Sequence, residues 1–136
     1  MKEDCVFCQI VRGEKPASIV YEDEETLAFM DINQGVKGHL LIIPKEHYVD
    51  ITDITPEAAA AVARTSVQVA PALKRALNAD GISVWQANGW AAGQRVFHYH
   101  VHLFPRFAGD GLPLHKSKMA SREELDRIAE LIRKHL

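Results

Sequence analysis

The stretch Phe97-His98-Tyr99-His100-Val101-His102-Leu103-Phe104-Pro105-Arg106 places a histidine at every second position of a run that otherwise reads as a buried strand. Successive strand side chains point to opposite faces, so this period predicts that His98, His100 and His102 share one face. Tyr99, Val101 and Leu103 then take the other face, against a core. Pro105 has no N–H to offer a ladder and is expected to end the pairing. Buried imidazoles need partners for their ring nitrogens and titrate near neutrality, which makes three in a row a poor choice for a purely structural strand. Two kinds of chemistry fit such a face. The rings can ligate a divalent metal, or one can attack an electrophile while its neighbours hold the transferred group. A polar, solvated strand face is the plainer alternative.

Working outward, Ile19 to Glu22 and Thr26 to Ile32 read as two strands of a hairpin around Asp23-Glu24-Glu25. Gly35 to Gly38 makes a turn, and His39 to Ile43 is a continuous apolar run suited to a central strand that Pro44 closes. Thr55 as N-cap and Pro56 at the first helical position predict the start of a long Ala-rich helix over Ala58 to Asn78. Its Val62, Val69, Leu73 and Leu77 share a face, Pro71 is expected to kink it, and Asp80-Gly81 to end it. Ile82 to Gln86 is a further strand, and Asn88 to Gly93 a loop returning to the histidines. Ser121 with Glu124 three residues on has the capping-box pattern, ahead of Leu125, Ile128, Ala129, Ile132 and Leu136 at helical spacing. Cys5 to Val11 suits a helical turn broken by Gly13 to Pro16. Gly109 to Lys118 has no clear period and reads as an irregular connection. The order of elements and the tight connections predict an α+β domain: an antiparallel sheet of about five strands, one long helix and a C-terminal helix.

At 136 residues the chain fits one domain, 1–136, long enough for a core without disulfide staples. A net charge of −2 gives no electrostatic case for a nucleic-acid polymer or an anionic membrane as partner. No apolar run approaches a membrane span, and Met1-Lys2-Glu3-Asp4 lacks the order of a signal peptide, so the chain reads as cytoplasmic. Two cysteines in that compartment favour a metal-binding or redox role for Cys5 and Cys8 over a structural disulfide. A C-x-x-C pair is a weak signal by itself.

The histidine run, with Gly93-Gln94 before it and Pro105-Arg106 within it, resembles the H-φ-H-φ-H-φ-φ pattern of the histidine triad family of nucleotide hydrolases and transferases. The resemblance covers most of the chain. Cys5-Val6-Phe7-Cys8, Tyr21-Glu22-Asp23-Glu24, Leu27 to Ile32 and Gly38 to His47 are similar to that family in order and spacing. It implies that His100 attacks the α-phosphorus of a purine nucleotide, an AMP or GMP derivative, to give a nucleotidyl-histidine that water hydrolyses. It further implies that His102 holds the phosphate, that His98 orients the strand, and that Gln94 contacts the phosphate or the attacking water. Histidine rather than glutamine at His102 argues for hydrolysis over transfer. His39 would lie near the pocket, Asp31 on the ribose hydroxyls, and Ile32 and Phe29 near the base. For His39 a solvent-exposed strand end, for Phe29 core packing and for Asp31 a turn are the alternatives. The resemblance also implies a homodimer with joined sheets.

Bacterial members that this chain resembles carry a structural zinc on Cys5, Cys8, His47 and His98, a Cys₂His₂ set suited to a closed tetrahedral centre. A redox dithiol or two inert thiols are the alternatives. Two departures stand out. Arg95 occupies the place where many members have a hydroxyl residue credited with assisting the leaving group, and an arginine there can meet additional phosphates. At Ala87 relatives often have an amide, and Asn88 either covers that role or only shapes the loop. Outside hydrolysis, the sequence also allows a nucleotide-binding regulatory module with incidental turnover. A third reading is a metallohydrolase with His98, His100 and His102 on one catalytic metal.

Overall fold

A computed structural model describes residues 2–111 and 118–136. Helix α1 (Val6–Val11) opens the chain, its first turn capped by the Cys5 thiol, which accepts from the Cys8 N–H at 3.4 Å. Strands β1 (Ile19–Glu22) and β2 (Thr26–Met30) form the expected hairpin. Its turn is held by Asp23, whose Oδ1 accepts from the backbone N–H groups of Glu25 and Thr26, both at 2.8 Å. After the short β3 (Asn33–Gln34) comes β4 (Leu40–Pro44), then α2 (Pro56–Leu77). Thr55 caps α2 through the Ala58 N–H, as its hydroxyl suits it to do. The helix continues through Pro71, which stands on the exposed face, where water can take the carbonyl that loses its partner. Strands β5 (Gly81–Trp85), β6 (Val101–Arg106) and β7 (Lys118–Met119) follow, and α3 (Arg122–Arg133) begins at Ser121, whose hydroxyl accepts from the Glu124 N–H.

Five strands make one antiparallel sheet in the order β1-β2-β4-β6-β5, and β3 pairs with β7 apart from it. The central strands are buried on both faces, which is why β2 and β4 read as unbroken apolar runs. Alternation sorts the two faces. Ala28, Met30, Leu40, Ile42, Val101 and Leu103 pack beneath α2 and α3 with Val62, Val69, Leu73, Leu125 and Ile132. Leu27, Phe29, Leu41 and Ile43 face the other way and meet Phe7 of α1. A buried hydroxyl pair, Thr26 Oγ1 to Thr65 Oγ1 at 2.6 Å, ties the sheet to α2.

The structure corrects several expectations. The histidine strand begins at Val101, so only His102 of the three lies within it. Upstream, the Tyr99 N–H donates to the Tyr48 carbonyl at 2.6 Å instead of to a neighbouring strand, a long-range contact that local spacing does not encode. Pro105 does not end the pairing. The ladder with β4 stops at Leu40–Leu103, while β5 continues to pair through Ile82–Pro105 and Gly81–Arg106. Helix α2 is closed by Asn78 in the left-handed conformation, φ 53°, before Asp80-Gly81 is reached. Strand β2 stops at Met30, and β4 starts one residue after His39. Residues 112–117 of the connection expected over Gly109 to Lys118 lie outside the described residues.

Gly38 closes the turn into β4 at φ +100°, and a Cβ there would meet the Leu77 side chain and lie 3.0 Å from Pro105 Cγ. Gly38→Ala combines left-handed strain with overpacking between the sheet and α2, and is expected to destabilise the fold by about 2–4 kcal/mol. Urea unfolding reads this directly. An unchanged midpoint would show that the turn relaxes without strain.

Candidate functional site

His100 is buried where the chain enters β6, and its Nδ1 lies 2.7 Å from the His98 carbonyl. A carbonyl only accepts, so Nδ1 carries the proton and Nε2 keeps a free lone pair. The same logic runs through the next two rings. His39 Nδ1 donates to the Asn33 carbonyl at 3.2 Å, which leaves His39 Nε2 to accept from His102 Nδ1 at 2.9 Å. His102 Nε2 is therefore free as well. His39 stacks on Phe104 with ring centroids 4.1 Å apart, so it is a buried support for His102 and not a solvent-facing strand end. Burial pushes His100 below the ordinary imidazole value. It pushes His39 down to about 4 and, with the adjacent His100 and His39, His102 down to about 3. Both cleft-facing imidazoles are thus neutral around pH 7.

A cleft of about 660 Å³ lies over this face of the sheet and is lined by His100, His102, Asp31, Ile32, Phe29 and Arg95, among others. That volume suits a nucleotide-sized ligand. Phe29 packs in the core cluster with Phe7, as a core residue would, and also forms cleft wall. Asp31 lines the cleft as well: Oδ1 accepts from the Asn33 N–H at 2.9 Å, as a turn residue would, while Oδ2 lies 3.6 Å from His39 Nε2. Burial raises its carboxyl above the usual range.

Three residues expected at the nucleotide, His39, Gln94 and Asn88, fall outside the cleft lining. Gln94 is buried, with Oε1 accepting from the Gly89 N–H and Nε2 donating to the Val49 and Val96 carbonyls. Its amide is committed to bracing the loop, so it is not free to touch a phosphate in this conformation. Asn88 exchanges hydrogen bonds with Gln86 and accepts from the Ile51 N–H, a loop-shaping role. Conversely, Lys15 and Arg122 line the cleft and were not anticipated. Arg122 is placed there by Ser18, whose hydroxyl accepts from it at 2.7 Å across 104 positions of chain, a contact with no local sequence signal.

A second cluster lies behind the histidines. Cys5, Cys8, His47 and His98 bring their ligand atoms together, with Cys8 Sγ 3.4 Å from His47 Nδ1 and 3.5 Å from His98 Nδ1. Cys5 Sγ lies 3.5 Å from His98 Nδ1, and the two Nδ1 atoms are 3.2 Å apart. Tetrahedral zinc with ordinary bond lengths needs edges of about 3.3–3.6 Å between such donors. The protonation also fits. His98 Nε2 donates to the Pro44 carbonyl at 2.8 Å, which turns an unprotonated Nδ1 toward the sulfurs. Backbone N–H groups of Lys2 and Cys8 point at Cys8 Sγ and Cys5 Sγ, each at 3.4 Å, as they would at thiolates. This cluster can bind a metal, and of the three triad histidines it takes only His98.

Neutral imidazole nitrogens lining a nucleotide-sized cleft above an antiparallel sheet have the chemistry that nucleophilic group transfer requires. Residues 12–109 match the HIT domain, and the chain belongs to that family of nucleotide-binding hydrolases. It is 36% identical over its whole length to adenylylsulfatase HINT3 of Arabidopsis thaliana, covering 71% of that protein. A Hit-like protein of Bartonella henselae has the same α+β fold, with TM-score 0.94 and 36% identity over 100% of this chain and 98% of that one. A zinc-bound histidine triad family protein of Mycobacterium smegmatis is 41% identical, with TM-score 0.87 over 97% of this chain and 92% of that one. Among the described residues no helix is long and apolar enough to cross a membrane.

Proposed function

We propose that this chain, acting as one domain over 1–136, hydrolyses purine nucleotides at the α-phosphate through a nucleotidyl-histidine on His100. The observation that carries the reading is the 2.7 Å contact between His100 Nδ1 and the His98 carbonyl. A carbonyl only accepts, so the proton sits on Nδ1 and Nε2 of this cleft-lining ring keeps its lone pair. Attack forms a P–Nε2 bond and breaks the bond from phosphorus to the leaving group. The ring then carries a positive charge that the His98 carbonyl stabilises through Nδ1–H. His102, held by His39, contacts a phosphate oxygen, Asp31 receives the ribose hydroxyls through Oδ2, and Ile32 and Phe29 flank the base. Water then attacks the same phosphorus, releases the nucleoside monophosphate and returns the lone pair to Nε2. Substrates in range are nucleotide phosphoramidates, nucleotidyl adducts and dinucleoside polyphosphates, and HINT3's name supports including adenylyl sulfate.

Cys5, Cys8, His47 and His98 would hold a structural zinc, which the smegmatis relative's zinc supports. Held by these four residues, it would tie α1 to His98 and would supply structure, not an electrophile for the reaction. The edge strand β5 leaves Val84 and Trp85 exposed, which supports pairing of two copies along that edge. Light scattering of the purified protein is expected to give twice the chain mass, and a monomer at micromolar concentration would refute the pairing.

Rapid quenching without acid and intact-protein mass spectrometry test the central claim. A nucleotidyl-sized mass increase is expected with an adenosine phosphoramidate, adenylyl sulfate or a diadenosine polyphosphate. Saturable nucleotide binding with no adduct and no turnover of any of them would favour a regulatory binding module.

A further inference from the structure

The geometry points to Arg95 as the residue that selects substrates by the charge of the leaving group, favouring those whose α-phosphorus carries a sulfate or polyphosphate over those carrying an amine. This rests on the hydrolase reading above and narrows it. Arg95 lines the same cleft as His100 and His102 and stands on the loop that leads into β6. Its guanidinium lies over the Trp90 ring, 3.9 Å from the centroid, and its Nη1 donates to the Trp90 and Gln94 carbonyls at 3.0 and 3.2 Å. The head group is therefore held in place, while Nε and Nη2 make no hydrogen bond among the described residues. Buried Gln94 braces the loop beneath it. The cleft holds two other cations, Lys15 on the segment before β1 and Arg122 on α3, where it donates to Ser18 Oγ at 2.7 Å. Arg95 is the one carried by the loop that leads into the histidines.

The two leaving-group classes make different demands. When Nε2 of His100 attacks an α-phosphorus joined to sulfate or phosphate, the P–O bond breaks and the departing oxygen keeps the electron pair. No proton is needed, only charge stabilisation, which a fixed guanidinium provides through charge-assisted hydrogen bonds. When the joined atom is an amine nitrogen, the P–N bond breaks productively only as that nitrogen gains a proton. Among the described residues lining the cleft there is no serine, threonine, tyrosine or cysteine to deliver one, and the ammonium of Lys15 is on the segment before β1, not on the loop that carries Arg95. Arg95 cannot deliver it, because a guanidinium keeps its protons.

The test compares wild type, Arg95→Ala and Arg95→Lys on adenylyl sulfate, a diadenosine polyphosphate and an adenosine phosphoramidate, which share the adenylyl group. The quantity read is the ratio of kcat/KM for each anionic-leaving substrate to that for the phosphoramidate. Arg95→Ala is expected to lower the ratio about 10- to 100-fold, the scale of one or two charge-assisted hydrogen bonds. Arg95→Lys, which keeps the charge and loses the fork, should retain more of it. Thermal melting of each variant controls for folding. A ratio that Arg95→Ala leaves unchanged, or a wild type that turns over only the phosphoramidate, overturns the inference and leaves the hydrolase reading standing. A wild type that forms no nucleotidyl adduct with any of the three overturns both.

Discussion

Replacing Cys8 by alanine is expected to lower the melting temperature by more than about 10 °C and to abolish stoichiometric zinc binding. Cys8 is fully buried, and its sulfur lies within 3.5 Å of both histidine ligand atoms. Removing it leaves two imidazoles and one thiol crowded 3.2–3.5 Å apart with no metal to bind them, a partly buried polar cluster without compensation. Zinc in isolated finger peptides contributes about 10–16 kcal/mol to folding, but here the sheet and its two helices have a core of their own. A loss of about 3–5 kcal/mol is therefore expected, and not complete unfolding. Thermal melts with and without chelator, paired with metal analysis of the purified protein, check this. Wild type that carries no zinc and melts at the same temperature in chelator would sink it.

The consequence for chemistry runs through Phe7, which sits between the two cysteines in sequence. Its ring meets His100 edge-on at 5.2 Å and Phe29 at 5.4 Å, closing one wall of the cleft. Loss of a metal held by these four residues would free α1, so KM is expected to rise while an adduct still forms on His100. Chelation is therefore expected to damage stability before it damages the chemical step.

Local physics made much of this legible beforehand. Thr55-Pro56 and Ser121 announce their helices because capping is decided by a hydroxyl and a few backbone N–H groups nearby. The five-strand sheet follows from apolar runs whose alternation sorts them between two covered faces. What sequence spacing misplaced depends on distant partners. Tyr48 supplies the carbonyl that draws Tyr99 out of a regular strand, and Val49 supplies one of those that occupy Gln94. Neither can be read from a window around the histidines. Alternation still set Tyr99, Val101 and Leu103 against the core, although two of the histidines lie outside the strand. They then diverge in role, since His98 turns to the sulfurs while His100 and His102 face the cleft.

His100→Asn is expected to cut kcat/KM by more than about 10⁴-fold on every substrate, the scale on which enzymes lose activity when an activated nucleophile is removed. Asparagine is the informative choice because its side-chain amide can still donate to the His98 carbonyl, as Nδ1 does now at 2.7 Å. The substitution therefore removes the lone pair aimed at the cleft and leaves the local hydrogen bond able to form, so a loss of activity reports chemistry and not collapse. Nucleotide binding should survive, since Asp31, Ile32, Phe29 and His102 still line the cleft. Zinc content should survive too, because His100 is not among the four clustered ligands. That last expectation separates the present reading from a metallohydrolase built on all three histidines. In a metallohydrolase, His100→Asn would release metal and activity together. In a covalent hydrolase it abolishes the nucleotidyl adduct while the metal stays. Residual turnover above about one-thousandth of wild type, with an adduct mapped to another residue, would move the nucleophile away from His100.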